Sequence, residues 1–150
     1  METTITVEEV RYVAHRLAQE LMEWGEPIPP FETRRGHILE SCLQSPFQQI
    51  GGKFLYPDFR DRAAILFYMM VKNHPFQNGN KRIAVVTLLH FLSKNGKWLD
   101  IDNQELYNFA KWVAESNAKL MDATVEAIQK FLELYTVKLV LPVKNTEVAI

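Results

Sequence analysis

The chain has 150 residues, of which 47% are hydrophobic and 23% are charged, and this composition excludes a disordered or fibrous protein. Seventeen Lys and Arg residues against eighteen Asp and Glu residues give a net charge of −1. The chain as a whole therefore has no excess positive charge that would attract the phosphates of nucleic acid. Cys42 is the single cysteine and cannot form an internal disulfide, which indicates a reducing compartment.

The N-terminal segment lacks the basic and apolar blocks of a signal peptide. The longest apolar run, at residues 63–71, is too short to cross a bilayer. A chain of this length can bury a sizeable core without disulfides or structural metals. We therefore expect a cytoplasmic protein of one domain with no membrane segment.

A first helix is predicted to begin after Thr6, because Thr6 and Glu9 form a capping-box pattern and apolar residues follow at three- and four-residue steps. The apolar face of this helix runs to Trp24, and Gly25 would end it. Three prolines at residues 26–31 predict an extended connector to the next element.

A short helix is expected over residues 33–44, and the segment that follows, residues 45–57, has a different character. Gly51 and Gly52 separate two short apolar stretches, a pattern that is typical of a β-hairpin. A lone hairpin is only marginally stable in water. We therefore expect this hairpin to lean on the body of the protein or to move as a flap, with a passive loop as the alternative.

Two strongly apolar helices are predicted over residues 58–72 and about 81–94, and the first of them is apolar on nearly every side, as a central buried helix is. Another helix is predicted to begin after Asp102. The last helix is expected over residues 121–138. Residues 139–150 show little periodicity and are predicted to be a tail outside a domain of residues 1–138.

The segment HPFQNGNKR, residues 74–82, lies between the two most apolar helices and holds the best candidates for chemistry. A helix start exposes N–H groups and partial positive charge, so it can bind an anion. Gly79 allows a tight turn there, and Asn80 adds a side-chain amide. Lys81 and Arg82 bring two positive charges to the same end, which indicates a phosphate as the ligand.

His74 stands at the other end of this loop, and imidazole is well suited to accept a proton from a hydroxyl near neutral pH. Taken alone, a loop histidine is more often a structural residue, and the surrounding segment is what favours the catalytic interpretation. A base beside a phosphate-binding helix start is the arrangement of a transferase with a nucleotide phosphate donor. Lys53, near the hairpin tip, is a further candidate for contact with the donor or target.

HPFQNGNKR resembles the Fic/Doc signature, usually written H-P-F-x-[D/E]-G-N-[G/K]-R, and the sequence before it, GGKFLYPDFRDRAAILFYMMVKN, resembles the flap and central helix of the Doc (death-on-curing) branch. The resemblance extends over roughly residues 1–136. It implies an all-α fold, a helical bundle with a small β-hairpin flap at about residues 45–57. It also implies transfer of a nucleotidyl or phosphoryl group from a nucleotide to hydroxyl side chains of target proteins.

The resemblance implies that His74 deprotonates the target hydroxyl. It places Gly79, Asn80 and Arg82 around the donor phosphates. Lys81 stands where nucleotidyl-transferring members generally have Gly and the Doc branch has Lys, which favours phosphoryl transfer from ATP. Transfer of AMP by the same residues is the alternative.

Asn78 departs from the family pattern, in which Asp or Glu at this position holds Mg²⁺ against the donor phosphates. An amide oxygen can still ligate Mg²⁺ but carries no charge, so metal affinity should fall. Two possibilities stay open, an enzyme with a weakened metal site and a degenerate domain that binds nucleotide or a partner without chemistry. His15 and His90 lack partners at metal-ligand spacing, so structural roles are expected for them.

Membership of the Doc branch would imply a toxin that phosphorylates elongation factor Tu, blocks translation and is neutralised by a small antitoxin. Thr4 to Glu8 fits the first part of the autoinhibitory pattern of some Fic proteins, but Glu9 follows where Gly or Asn is required. We therefore expect inhibition by an external antitoxin. Direct contact with nucleic acid or membrane is not expected.

Overall fold

Thr6 begins the first helix as its spacing from Glu9 predicts. The computed structural model describes residues 3–21 and 27–140. In it the Thr6 hydroxyl accepts a hydrogen bond from the Glu9 N–H at 3.1 Å, and the Glu9 carboxylate accepts one from the Thr6 N–H at 3.1 Å. These two bonds satisfy N–H groups at the helix start, so the capping box is confirmed.

The first helix, α1, has three consecutive stretches, which are α-helical, π-helical and again α-helical: Val7–Glu9, Val10–His15 and Arg16–Leu21. Trp24 and Gly25, which were expected to complete and end this helix, lie outside the described residues. Its buried side chains belong to Val10, Ala14, His15 and Ala18.

Five further helices and two antiparallel two-stranded sheets follow within the described residues. The helices are α2 Gly36–Gln44, α3 Phe59–Lys72, α4 Asn80–Lys94, α5 Asn103–Glu115 and α6 Met121–Tyr135. The strands are β1 Gln49–Ile50, β2 Lys53–Phe54, β3 Lys97–Leu99 and β4 Thr136–Lys138. Single 3₁₀ turns lie at Phe31–Thr33, Ser45–Phe47 and Ala118–Leu120.

The all-α class with a small hairpin is confirmed. The helix expected over residues 33–44 begins only at Gly36, because the backbone of Arg34 is extended (φ −63°, ψ 155°) and interrupts the helix. Among the described residues, every helix is too short or too polar to cross a bilayer.

The predicted hairpin forms, with Gln49 opposite Phe54 and Ile50 opposite Lys53 across the two-glycine turn. Arg62 of α3 contacts the end of the hairpin that is opposite the turn. The Arg62 guanidinium lies 4.1 Å from the Phe54 ring centroid, and its Nη1 donates to the Tyr56 carbonyl at 2.7 Å. The hairpin therefore contacts the body of the protein, which is one of the two arrangements that we expected, and its movement as a flap stays a prediction.

The end of the last helix was predicted wrongly. We expected helix to residue 138, but α6 ends at Tyr135 and residues 136–138 form β4, paired antiparallel with β3. The ladder extends to the Leu139 N–H, which donates to the Gly96 carbonyl at 2.9 Å. The partner strand is distant in sequence, so helical periodicity carried no sign of this pairing. Residues 141–150 of the predicted tail lie outside the described residues.

The core is built around α3 and α4, the two helices that were expected to be the most apolar. Fully buried side chains on them include Leu66, Phe67, Met70, Ile83, Leu88 and Phe91. Burial of one such side chain contributes on the order of 2 kcal/mol. The segment between these helices is therefore held at both ends by the most stable part of the protein.

Glu9 connects α1 to the far end of α4. Its carboxylate accepts hydrogen bonds from Lys94 Nζ at 2.7 Å and His90 Nε2 at 2.8 Å. Burial alone would raise the pKa of Glu9, but the hydrogen bonds from these side chains and from the Thr6 N–H lower it to about 2. The ionised carboxylate therefore stabilises the fold.

Acid is expected to weaken this connection. A carboxyl group whose pKa is lowered on folding stabilises the protein above its unfolded pKa, and that contribution disappears as the pH falls to the folded pKa. For Glu9 the window runs from 4.5 down to about 2. The loss is about 3 kcal/mol. Urea unfolding should show that wild type has a larger free energy of unfolding than Glu9→Gln at neutral pH. This difference in free energy should disappear as the pH falls to about 2. An equal difference at both ends would contradict the assignment.

Candidate active site

The segment HPFQNGNKR forms the loop between α3 and the start of α4. His74 is exposed and has φ +51°, a left-handed conformation that costs a residue with a side chain about 1 kcal/mol. Such a conformation persists only where the surroundings hold it. Pro75 and Phe76, directly after it, are buried.

Phe76 is the buried anchor of the loop. Its side chain is fully buried, with its ring centroid 5.7 Å from the His15 ring and 5.8 Å from the Phe31 ring. His15 Nε2 lies 2.7 Å from the Pro29 carbonyl, which can only accept, so this nitrogen carries the proton. His15 therefore has a structural role in the wall around Phe76.

The Asn80 side chain is buried and holds the loop from the helix side. Its Oδ1 accepts from the Phe76 N–H at 2.9 Å, and its Nδ2 donates to the Phe76 carbonyl at 2.8 Å. Because a backbone N–H can only donate, this pair fixes which end of the amide is oxygen. Nδ2 also lies 3.4 Å from His74 Nδ1.

This contact determines which nitrogen of His74 can accept a proton. Nδ1 faces the Asn80 N–H and must accept from it, so a neutral imidazole carries its own proton on Nε2. The distance of 3.4 Å makes this a weak hydrogen bond that a stronger donor can replace. A hydroxyl that gives its proton to His74 therefore approaches Nδ1, or the ring changes tautomer.

Gly79 forms the turn into α4. It has φ +72° and ψ 12°, and its carbonyl accepts from the Ile83 N–H at 3.0 Å, which starts the helical pattern. The side chain of Ile28, from the proline-rich connector, lies against it. A Cβ atom at this position would collide with Ile28 Cδ1. The glycine is required both by its backbone conformation and by the close approach of the connector.

Gly79→Ala is expected to destabilise the protein by about 1–2 kcal/mol, chiefly through the left-handed φ. Denaturant unfolding measures this, with two matched glycine-to-alanine controls. Gly36 lies in a helix with nothing within 4 Å of a built Cβ, so alanine there should be neutral or slightly stabilising. Gly51 has φ +59° but open space, so it reports backbone strain alone. Equal stability of all three variants would contradict this account.

Lys81 and Arg82 differ in their surroundings. Lys81 is half-buried, and Arg82 is only 6% exposed. Arg82 Nη1 donates to the Ala18 carbonyl of α1 at 3.3 Å. The guanidinium therefore helps to join α1 to the start of α4, and its predicted contact with phosphate stays a prediction. The side-chain amide of Asn80 is likewise hydrogen-bonded within the loop. The backbone N–H of Asn80 is therefore the group of this residue that would face a phosphate.

The predicted metal ligand, Asn78, is half-buried in the loop. No group of three or more His, Cys, Asp or Glu side chains that could hold a metal occurs in residues 3–21 and 27–140. These residues do not form a self-sufficient metal cage. A neutral oxygen at position 78 suits a Mg²⁺ ion that arrives with most of its ligands from phosphates and water.

Lys53 and Cys42 lie outside the loop. Lys53 is exposed on β2, and its predicted contact with donor or target stays a prediction. Cys42 is buried, and its Sγ lies 3.4 Å from the Met69 carbonyl. Burial raises the pKa of the Cys42 thiol to about 11, so it is protonated at neutral pH and is no nucleophile.

Arg35 is a loop contact that the sequence analysis missed. Its Nη1 donates to the carbonyls of His74, at 2.7 Å, and Phe76, at 3.0 Å. Its backbone N–H donates to the carbonyl of Pro75 at 2.8 Å. Arg35 precedes α2, 39 residues before His74, and no local pattern in the sequence marks it as a partner of the loop.

Comparison with known proteins identifies the family of this chain. The model of the Fic/DOC family matches residues 4–92, which include the hairpin and the whole loop. Among curated proteins, Toxin Doc of Mycolicibacterium smegmatis (strain ATCC 700084 / mc(2)155) is 33% identical over 72 residues, 45% of this chain and 55% of that protein. The chain thus matches about half the length of this relative. No solved structure gives a significant match. Since the family model covers more than half of its residues, the chain belongs to the Fic/Doc family.

Proposed function

We propose that this protein is a Doc-type toxin that transfers the γ-phosphoryl group of ATP to a hydroxyl side chain of a target protein. The observation that carries the proposal is the juxtaposition of an exposed imidazole, His74, with the start of α4, where the buried Asn80 side chain contacts both Phe76 and His74. A helix start attracts phosphate, and an imidazole accepts a proton. The name of the M. smegmatis relative points to the same class.

In the proposed reaction the target hydroxyl oxygen attacks the γ-phosphorus. A new O–P bond forms, and the bond from the γ-phosphorus to the β–γ bridging oxygen breaks. That oxygen keeps the electron pair and leaves as part of ADP. The hydroxyl proton passes to His74. The start of α4 and Lys81 balance the charge of the phosphates, which is most of what such a transfer requires.

Lys81 favours phosphoryl over adenylyl transfer. An ammonium group on the first turn of α4 occupies space and adds charge, so the triphosphate would lie with its γ-phosphate toward His74. Transfer of AMP by the same residues is the alternative. It would place the α-phosphorus before the hydroxyl and release pyrophosphate. Only the site of attack distinguishes the two reactions.

The experiment that tests the proposal uses two radiolabelled donors. The purified protein is incubated with elongation factor Tu and Mg²⁺, once with γ-labelled ATP and once with α-labelled ATP. We expect label on the target only from the γ-labelled ATP. The intact mass of the target should show the addition of one phosphoryl group. Label from the α-position alone would establish AMP transfer instead. Label from neither would favour a degenerate domain.

Mg²⁺ is proposed to enter as part of the MgATP substrate, with Asn78 as its ligand from the protein. Asn78→Asp adds a charge to that ligand, so half-maximal transfer should need about tenfold less Mg²⁺. The matched control is Gln77→Glu, which adds the same charge on the neighbouring exposed residue and should leave the Mg²⁺ titration unchanged. If the titration of Asn78→Asp equals that of wild type, Asn78 does not hold the metal.

The partners follow from the same proposal. The target is a hydroxyl side chain of an elongation factor Tu-like protein, and its modification would block translation in the cytoplasm. A small antitoxin protein would neutralise the activity. Co-expression with a candidate antitoxin should restore growth that the toxin alone arrests.

A further inference from the structure

We propose that Arg35 is a positioning residue for His74. It sets the backbone of the proton acceptor from outside the motif, and the inference rests on the transfer reaction proposed above. The carbonyl of His74 accepts a hydrogen bond from a residue outside the loop at residues 74–82. Arg35 donates this bond from the segment that precedes α2.

Three consecutive carbonyls, those of His74, Pro75 and Phe76, all accept from Arg35, at 2.7, 2.8 and 3.0 Å. Two of the three donors come from the guanidinium, so these bonds are charge-assisted and stronger than bonds between neutral groups. Both of these bonds come from Nη1, whose two N–H groups have directions fixed by the guanidinium plane, whereas a lysine ammonium rotates on a flexible stem.

The backbone of His74 is strained. Its φ of +51° is unfavourable for a residue with a side chain, so free peptide of this sequence would leave that region. Rotation toward negative φ would swing the imidazole away from the start of α4. Arg35 holds the carbonyl of His74, and Asn80 contacts its ring nitrogen Nδ1. The residue is thus held at both its main chain and its side chain.

The contacts of the Arg35 guanidinium favour positioning of the base over direct binding of phosphate. Arg35 is exposed, but its guanidinium is directed at carbonyl oxygens of the loop. A phosphate ligand binds the donor in the ground state as well as in the transition state, so its loss raises KM. A residue that orients the base acts on the transfer step, so its loss lowers kcat.

The experiment compares Arg35→Gln and Arg35→Lys with Arg34→Gln. Arg34 is the matched control, because the same charge is removed one residue away, where the guanidinium lies 4.3 Å from the Phe31 ring. We expect Arg35→Gln to lower kcat roughly 10- to 100-fold while KM for ATP changes less than about twofold. Arg35→Lys should fall between that variant and wild type. Arg34→Gln should keep both constants within about twofold.

A second readout follows the imidazole itself. In wild type, ¹⁵N NMR of the His74 side chain should show the proton on Nε2 and Nδ1 as a hydrogen-bond acceptor. In Arg35→Gln the ring should show averaged tautomers. A folded Arg35→Gln protein with wild-type kcat and ring signals would overturn the proposal, and so would a raised KM with unchanged kcat. If Arg35→Gln does not fold, the kinetic constants and the His74 ring signals of Arg35→Lys test the proposal instead. If wild type transfers no label at all, the proposed function is wrong. The ¹⁵N signals of the His74 ring in wild type and Arg35→Gln then test the role of Arg35 by themselves.

Discussion

His74→Ala should reduce transfer of the γ-phosphoryl group by roughly 100- to 10,000-fold, the usual contribution of general acid–base catalysis. His74 is exposed and contributes no buried side chain to the core, so the variant should fold like wild type. Nucleotide affinity should be almost unchanged, because the start of α4 and Lys81 are untouched. Single-turnover transfer from γ-labelled ATP measures the rate, and calorimetry measures the binding.

A matched control for this variant is His37→Ala, which removes an exposed imidazole from α2. It should transfer at the wild-type rate. Equal rates for His74→Ala and wild type would exclude His74 as the base. If neither protein transfers label although both bind nucleotide, the degenerate binding domain becomes the better description, and Asn78 is the residue to test for the cause.

Asn80→Ala should have the second largest effect, because it acts on stability and on rate together. The variant leaves the buried N–H of Phe76 without its acceptor, and such a loss costs about 1–3 kcal/mol. The Phe76 carbonyl keeps its hydrogen bond from Arg35. His74 loses the donor at Nδ1, so its ring is free to rotate and the transfer rate should fall about tenfold or more.

Two comparisons make this test specific. Asn108→Ala removes an exposed amide from α5 and should change neither stability nor rate. Asn80→Asp keeps an acceptor for the Phe76 N–H but turns the second oxygen toward the Phe76 carbonyl and His74 Nδ1, where it cannot donate. It should therefore recover part of the stability and little of the rate. Urea unfolding and single-turnover transfer measure both quantities. A fully active, fully stable Asn80→Ala would contradict the assigned role of the amide.

Short-range patterns predicted much of this fold. The Thr6–Glu9 capping box and the turn at Gly51 and Gly52 depend on residues that are adjacent or three positions apart, so their physics is visible in the sequence itself. The burial of α3 and α4 followed from apolar residues on nearly every side. The loop at residues 74–82 was found because a turn, an amide, two cations and a histidine occur together beside a helix start.

Tertiary structure alone decided the contacts between distant segments. The pairing of β3 with β4 and the hydrogen bonds of Arg35 to the loop join residues that no periodicity relates. We expected the Asn80 side-chain amide beside the donor phosphates, and in the fold it is hydrogen-bonded to Phe76 and contacts His74. Such contacts depend on which surfaces the packed helices bring together, and many residues could satisfy a given carbonyl. A short stretch of sequence was therefore enough to propose the chemistry of the site, whereas the hydrogen bond from Arg35 to the His74 carbonyl exists only in the folded chain.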